Sequence, residues 1–359
     1  MNARRTALVV IAVAALLAGV GYVKRVDISL RVVQKLADRR LASQPLAGLA
    51  DGLHLGLCGA GSPLPDPHRS GPCTVVIAGQ RMFVIDAGSA ASRNLVKMGF
   101  NPGEIEALFL THFHSDHIDG LGEVMLQRWA GGSHVDPLPV YGPTGVKGVI
   151  AGFMQAYAPD QAYRVAHHGP EVVPPSGFGG TAHSFDIAAP GARVVLLDEP
   201  DLEIVAFGVN HEPAHPAVGY RIRYKDRTAV LSGDTIKWPA VEREARGVDL
   251  LVHEALSARL VASLQRAATK AGKMNIARIF ADIPGYHTTP EQAAGIARDA
   301  GVGFLLLNHI VPALPLPGLE AAFLGKSSGI FKGPIRVGVD GDFISLPSGS
   351  KAIEVGRRD

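Results

Sequence analysis

"THFHSDHIDG", Thr111 to Gly120, puts three histidines and two aspartates into ten residues. It follows "EIEALFL", an apolar run that reads as a strand. In extended chain, residues two apart point the same way, so His112 and His114 face one side, and Asp116 and His117 follow on the turn. A lone histidine is usually a satisfied surface or core residue. Four ligand-type side chains in the order H-x-H-x-D-H instead form a metal site, with imidazole and carboxylate donors that suit zinc and, less well, manganese or iron.

Outward from this loop, strands and helices come in two similar sets. "LHLGLC", "CTVVIA" and "RMFVIDAG" read as a meander of three strands. "SAASRNLVKMG" reads as a helix capped by Ser89 and ended by Gly99. "IDGLGEVMLQRWA" and "TGVKGVIAGFMQAYA" read as helices on either side of the strand "LPVYGP". Residues 158–200, rich in Pro and Gly, are expected to be an irregular excursion near the site. Then "LEIVAFGVNH", "AVGYRIRYK", "RTAVLSGD" and "DLLVHEA" read as strands, "SARLVASLQRAATKAG" and "TTPEQAAGIARDAG" as helices, and "VGFLLLNH" as the last core strand. The second of those helices has Thr289 at its cap and Pro290 in its first turn. The pattern predicts an α/β fold, a four-layer αββα sandwich of two sheets packed face to face with helices outside. "PIRVGVDGDFISL" reads as a hairpin with a "DG" turn.

His211, Asp234 and His309 each end or follow an apolar strand-like run, so they can converge on one sheet edge with the first cluster. His215 competes with His211. Composition narrows the function: Lys+Arg 35 against Asp+Glu 33 gives no basic surplus to announce a nucleic-acid partner. The only cysteines, Cys58 and Cys73, exclude a cysteine-rich zinc module. Each reads as a small buried hydrophobe, with a bridge between them as the alternative if the domain is exported.

Residues 6–23, "TALVVIAVAALLAGVGYV", follow Arg4 and Arg5 and precede Lys24 and Arg25. The run reads as an uncleaved membrane anchor or a signal segment, at the short end of what spans a bilayer. The expected layout is an anchor over 1–25, an amphipathic linker over 26–52, a catalytic domain over 53–312 and a C-terminal extension over 313–359. The arginine-first pattern favours export to a periplasmic or extracellular side. The positive charges after the run favour the cytoplasmic face.

"HFHSDH" resembles the signature of the metallo-β-lactamase superfamily. "GLCGAGSP", "FVIDAG", "VYGPTGVKGVI", "SGDT", "LLVHEA", "YHTTPEQAA" and "LLLNHI" resemble its ribonuclease Z branch, which includes arylsulfatase-like enzymes, in order and spacing. The resemblance implies the metallo-β-lactamase fold and two Zn2+, with Mn2+ or Fe2+ as alternatives. His112, His114 and His211 would bind the first ion, Asp116, His117 and His309 the second, and Asp234 both. Such ions, roughly 3.5–4 Å apart, can share a hydroxide that attacks an ester. Asp116 would also orient that nucleophile. His287 matches the residue that protonates the leaving oxygen, with Glu254 to orient it and His253 as Glu254's other neighbour. Asp86 would bond a ligand histidine from behind, and Gly59 and Gly61 would let backbone approach the site closely.

Relatives that process tRNA carry a basic arm between the "GYR" and "SGD" strands; here only "IRYKDRTAVL" separates Arg221 from Ser232. The expected substrate is therefore a small phosphodiester or aryl sulfate ester, and a nucleic-acid partner is not expected. The alternatives are a tRNA 3′-end endoribonuclease without the usual arm, a lactonase, and a metal-binding protein without catalysis. Further expected partners are the membrane, through the N-terminal segment, and a second copy of the chain.

Overall fold

The computed structural model describes residues 3–42, 44–316 and 318–358; Met1, Asn2, Ser43, Pro317 and Asp359 lie outside the described residues. The chain divides into two compact units, Met1–Pro45 and Leu46–Asp359. The first contains helices α1 (Ala3–Val23) and α2 (Arg25–Leu41). Among the described residues no helix is long and apolar enough to cross a membrane. This corrects the expectation of a membrane anchor in the N-terminal segment.

The second unit holds two sheets. Strands β1 (Gly52–Gly59), β2 (Cys73–Ala78), β3 (Arg81–Ile85), β4 (Ile105–Phe109), β5 (Leu138–Pro143) and β6 (Gly180–Phe185) belong to the first. Strands β7 (Arg193–Asp198), β8 (Leu202–Gly208), β9 (Val218–Tyr224), β10 (Arg227–Leu231), β11 (Leu250–Leu256), β12 (Phe304–Val311) and β13 (Ile335–Val337) form the second. The last strands, β14 (Asp342–Pro347) and β15 (Glu354–Arg357), return to the first sheet, which is ordered β15-β14-β1-β2-β3-β4-β5-β6.

Alternation along the strands assembles the layers. In β12, Phe304 and Leu306 enter the core between the sheets, while Leu305 and Leu307 enter the core on the outer face. In β3, Phe83 and Ile85 face inward and Met82 and Val84 face the other outer core. Strands buried on both faces read as continuous apolar runs. Helices α3 (Ala91–Lys97), α4 (Ser115–Ile118), α5 (Leu121–Gly132) and α6 (Val146–His168) come from the first half of the chain. Those of the second half are α7 (Pro239–Glu244), α8 (Ala258–Lys270), α9 (Met274–Asp282), α10 (Pro290–Ala300), α11 (Leu319–Leu324) and α12 (Ser327–Ile330). Residues of α3, α5 and α6 pack on the outer face of the first sheet, and residues of α7, α10 and α11 on that of the second. The architecture is the expected αββα sandwich. Thr289 caps α10 in a reciprocal capping box with Gln292, and Gly301 closes it at φ 66°.

Several local expectations need correction. Ser89 does not cap α3; its hydroxyl accepts the Gly71 N–H, and Ala90 takes the cap position at φ 65°. Residues 158–200 are more regular than expected, because α6 continues through Pro159 to His168 and β6 and β7 follow. The expected C-terminal hairpin is two strands in different sheets, since β13 pairs with β12 and β14 with β1. Within this stretch β13 joins the second sheet, and β14 and β15 join the first. Cys58 and Cys73 form a disulfide across the start of β2.

Candidate metal centre

Strand ends deliver the candidate ligands. β4 leads into His112 and His114, and α4 carries Asp116 and His117. β8 leads to His211 and β10 to Asp234. Between Leu231 and Asp234 the chain turns at Gly233, φ 60°, where a Cβ would stand 2.4 Å from the Val218 carbonyl oxygen, so only glycine fits. His309 lies inside β12, at a bulge: Glu254 pairs with Asn308 and Ala255 with Ile310, which leaves His309 unpaired at φ 45°. A bulge re-aims a side chain, and here it turns His309 toward the other ligands.

The ligand atoms meet. His112 Nε2 and His211 Nε2 stand 3.0 and 3.3 Å from His114 Nδ1. Asp116 Oδ2 lies 3.6 Å from His117 Nε2 and 3.2 Å from His309 Nε2. Asp234 Oδ2 is central, at 3.1 Å from His309, 3.4 Å from His117, 3.7 Å from His211 and 4.0 Å from His112. Ligand-spaced sets are thus His112–His114–His211–Asp234 and Asp116–His117–His309, with Asp234–His287–His309 as a third. His215, the competitor of His211, pairs with Glu212 on the surface.

Neighbours fix which nitrogen faces the centre. Asp86 Oδ2 accepts the His117 Nδ1–H at 2.8 Å, and Asp86 also accepts the Thr111 amide and hydroxyl, each at 2.8 Å. The Thr111 hydroxyl lies 3.1 Å from His112 Nδ1, so it accepts from that ring while donating to Asp86. The Tyr286 carbonyl accepts from His211 Nδ1 at 2.9 Å. Each ring keeps an Nε2 lone pair for a cation. Glu254 Oε1 accepts from His287 Nδ1 at 3.1 Å, from the Thr288 amide at 2.9 Å and from the Thr235 amide at 3.2 Å. His253 instead bonds the Glu254 carbonyl oxygen through Nδ1 and does not compete for the carboxylate.

This donor set fits metal ions. His117 Nε2 is buried and has no hydrogen-bond partner, although two carboxylates lie nearby. Donors about 2.0–2.2 Å from a tetrahedral zinc stand roughly 3.3–3.6 Å apart, and the spacings above bracket that value. Burial, reinforced by His117, holds His112 well below an ordinary histidine, in the neutral form that coordinates. Burial alone would raise the Asp234 carboxyl, but His309, His117 and His112 outweigh it and hold it well below the usual range. At His287 burial opposes the charge, Glu254 and then Asp234 outweigh it, and the ring is pushed up to about 9.

Thr111, Tyr286 and Thr288 were not legible as site residues. The one available signal was their place beside His112 and His287. At Gly59 and Gly61 the close approach is to the backbone of residues 69–71: a Cβ would stand 1.7 Å from the Gly71 carbonyl oxygen and 2.7 Å from that of Arg69, respectively, so glycine lets the end of β1 close on that segment.

With the geometry established, the family follows. The model of the metallo-beta-lactamase superfamily matches residues 67–281. The chain belongs to that superfamily. Ribonuclease Z of Mycobacterium bovis (strain BCG / Pasteur 1173P2) is 34% identical over 290 residues, covering 80% of this chain and 96% of the relative. Ribonuclease Z of Mycobacterium avium (strain 104) is 34% identical over 286 residues, covering 79% and 95%. The solved structure of human tRNase Z, short form, is similar with TM-score 0.58 at 20% identity, covering 82% of this chain and 99% of that one. YhfI of Bacillus subtilis, a metallo-beta-lactamase fold protein, gives 0.56 at 19%, covering 82% and 100%. The ribonuclease Z-like character read from the motifs is borne out, and the superfamily's metal dependence agrees with the cluster. The arylsulfatase reading gains no support from these relatives.

Proposed function

We propose that this protein is a zinc-dependent hydrolase of small phosphodiesters. The observation that carries the reading is the meeting of seven donor side chains, with His287 and its Glu254 partner on the same rim. Bound there, two zinc ions would supply an activated water and Lewis acidity toward the ester oxygens. His112, His114 and His211 would hold one ion, Asp116, His117 and His309 the other, and Asp234 would reach both. Asp116 would accept a hydrogen bond from the attacking water and orient it. His287 Nδ1 is committed to Glu254, so its Nε2 is the atom that donates a proton to the leaving oxygen. Glu254 holds that ring in place.

The relatives are named ribonucleases, which supports a phosphodiester over an aryl sulfate or a lactone. Substrate size is supported by the β9–β10 connection, in which Tyr224 pairs with Arg227 across two residues, so this hairpin carries no arm for a polynucleotide. A second reading, cleavage of precursor tRNA at its 3′ end, is favoured by identity that extends along nearly the whole length of the ribonuclease Z relatives. The test is metal analysis of the purified chain followed by assays on alkyl and aryl phosphodiesters, aryl sulfates, lactones and a precursor tRNA. Two zinc ions per chain and faster turnover of small diesters than of any other class are expected. Faster cleavage of the tRNA would transfer the assignment to the second reading. Full metal loading without turnover on any ester would leave a binding protein.

A further inference from the structure

We infer that the alcohol released from the diester is apolar, an aryl or alkylaryl group seated in a greasy slot beside His287. This rests on the small-diester reading above. A cavity of about 330 Å³ opens onto Asp116, Asp234, His287 and His309. Its far wall is Leu64, Ile279, Ile283, Tyr286 and Val311, drawn from three separate segments of the chain. Leu64, Ile283 and Val311 pack in one hydrophobic cluster, so the wall is anchored. Ile279, on α9, is 53% exposed at the mouth. None of the described residues lining the slot is lysine or arginine, so no cationic side chain there is placed to pair with further phosphates of a polynucleotide.

Two further features point to a bound ester. Ser62 lines the cavity, is nine-tenths buried, and its hydroxyl has no hydrogen-bond partner, so a turn of its side chain toward a bound phosphoryl oxygen would give that buried donor an acceptor. Ile279, Ile283, Tyr286 and His287 belong to one continuous segment, so the apolar wall and the proton donor address the same side of the substrate. The volume, at the low end of ligand pockets, suits one ring with a short alkyl tail. Hydrolysis adds water across the P–O bond. The phosphorus keeps the hydroxyl and becomes a monoester, and the alcohol leaves with the proton from His287.

The experiment uses the full-length, zinc-loaded protein and methyl phosphodiesters of phenol, 4-ethylphenol and 4-propylphenol, whose leaving groups differ in apolar area and hardly in acidity. kcat/KM is expected to rise at least about tenfold along the series. Ile279→Asp flattens the rise and Ile279→Leu retains it; as an exposed position, Ile279 tolerates both changes without unfolding. Equilibrium dialysis of the free phenols, with no turnover involved, is expected to show the same ranking and the same loss in Ile279→Asp. A flat series with normal turnover, or an Ile279→Asp variant that keeps the slope, overturns the apolar slot and leaves the diesterase reading intact. Absence of turnover on all three diesters, with zinc bound, overturns both.

Discussion

Two carboxylates beneath the site each hold one imidazole Nδ1–H, and their rings face different surroundings. Asp86, after β3 of the first sheet, accepts one imidazole Nδ1–H and the backbone amide of a threonine. Glu254, in β11 of the second sheet, also accepts one imidazole Nδ1–H, together with the amides of Thr235 and Thr288. The Asp86-bound ring, His117, points its Nε2 at Asp116 and Asp234 and is surrounded by donors for a cation. The Glu254-bound ring, His287, stacks against His309 and borders the open cavity. A carboxylate–imidazole pair is therefore a neutral device. On the proposed function, what the far nitrogen faces decides whether the ring serves as a metal ligand or as a proton donor.

Substitutions can break this comparison or sharpen it. The largest loss is expected from Asp234→Ala, because among the described carboxylates Asp234 lies within 4.0 Å of histidines of both ligand sets and Asp116 of one set. Metal content by plasma mass spectrometry should drop for both ions, with activity falling by more than the ~100-fold typical of losing a supporting neighbour. Next comes His287→Ala, expected to slow esters of poor leaving groups by about 10²–10⁴-fold while activated esters and zinc content change little. Equal loss on both ester classes would remove His287 as proton donor. Glu254→Gln should follow the same leaving-group pattern more weakly. Asp86→Asn should instead weaken zinc affinity by about 10–100-fold, read by competition with a chromophoric chelator, with no change in leaving-group sensitivity. If Asp86→Asn and Glu254→Gln gave the same pattern, the division of labour would be wrong. The smallest effect belongs to Thr289→Ala, which removes the α10 cap next to His287 and should cost about 1 kcal/mol in a denaturant melt with zinc content unchanged.

Most of the ligand set was legible because its chemistry is local. "HFHSDH" supplies four candidates from one turn, and His211 and Asp234 betray themselves by following apolar strands. The supports were only partly legible. Asp86 and Glu254 stood out by motif, but Thr111 works through a hydroxyl placed between Asp86 and His112, and threonine after a strand is too common to signal that. The disulfide between Cys58 and Cys73 was read as the lesser alternative, since neighbouring strand-like runs do not fix how side chains pair. The Asp340-Gly341 turn was misread for a tertiary reason. Asp340 does not serve a hairpin; its carboxylate accepts the amides of Ala60 and Ser70 at 3.0 and 2.9 Å and the Asn94 side chain at 3.0 Å. Such partners, hundreds of positions away, leave no local trace.

The seat of β14 has a consequence for how the chain reaches its folded state. β1 pairs along one side with β2, close in sequence, and along the other with residues 343–347. Until residues 343–347 leave the ribosome, one flank of β1 presents bare amides and carbonyls to any passing strand. Closing so distant a pair is slow. A chain cut before β13 is therefore expected to leave that edge of β1 open and to aggregate.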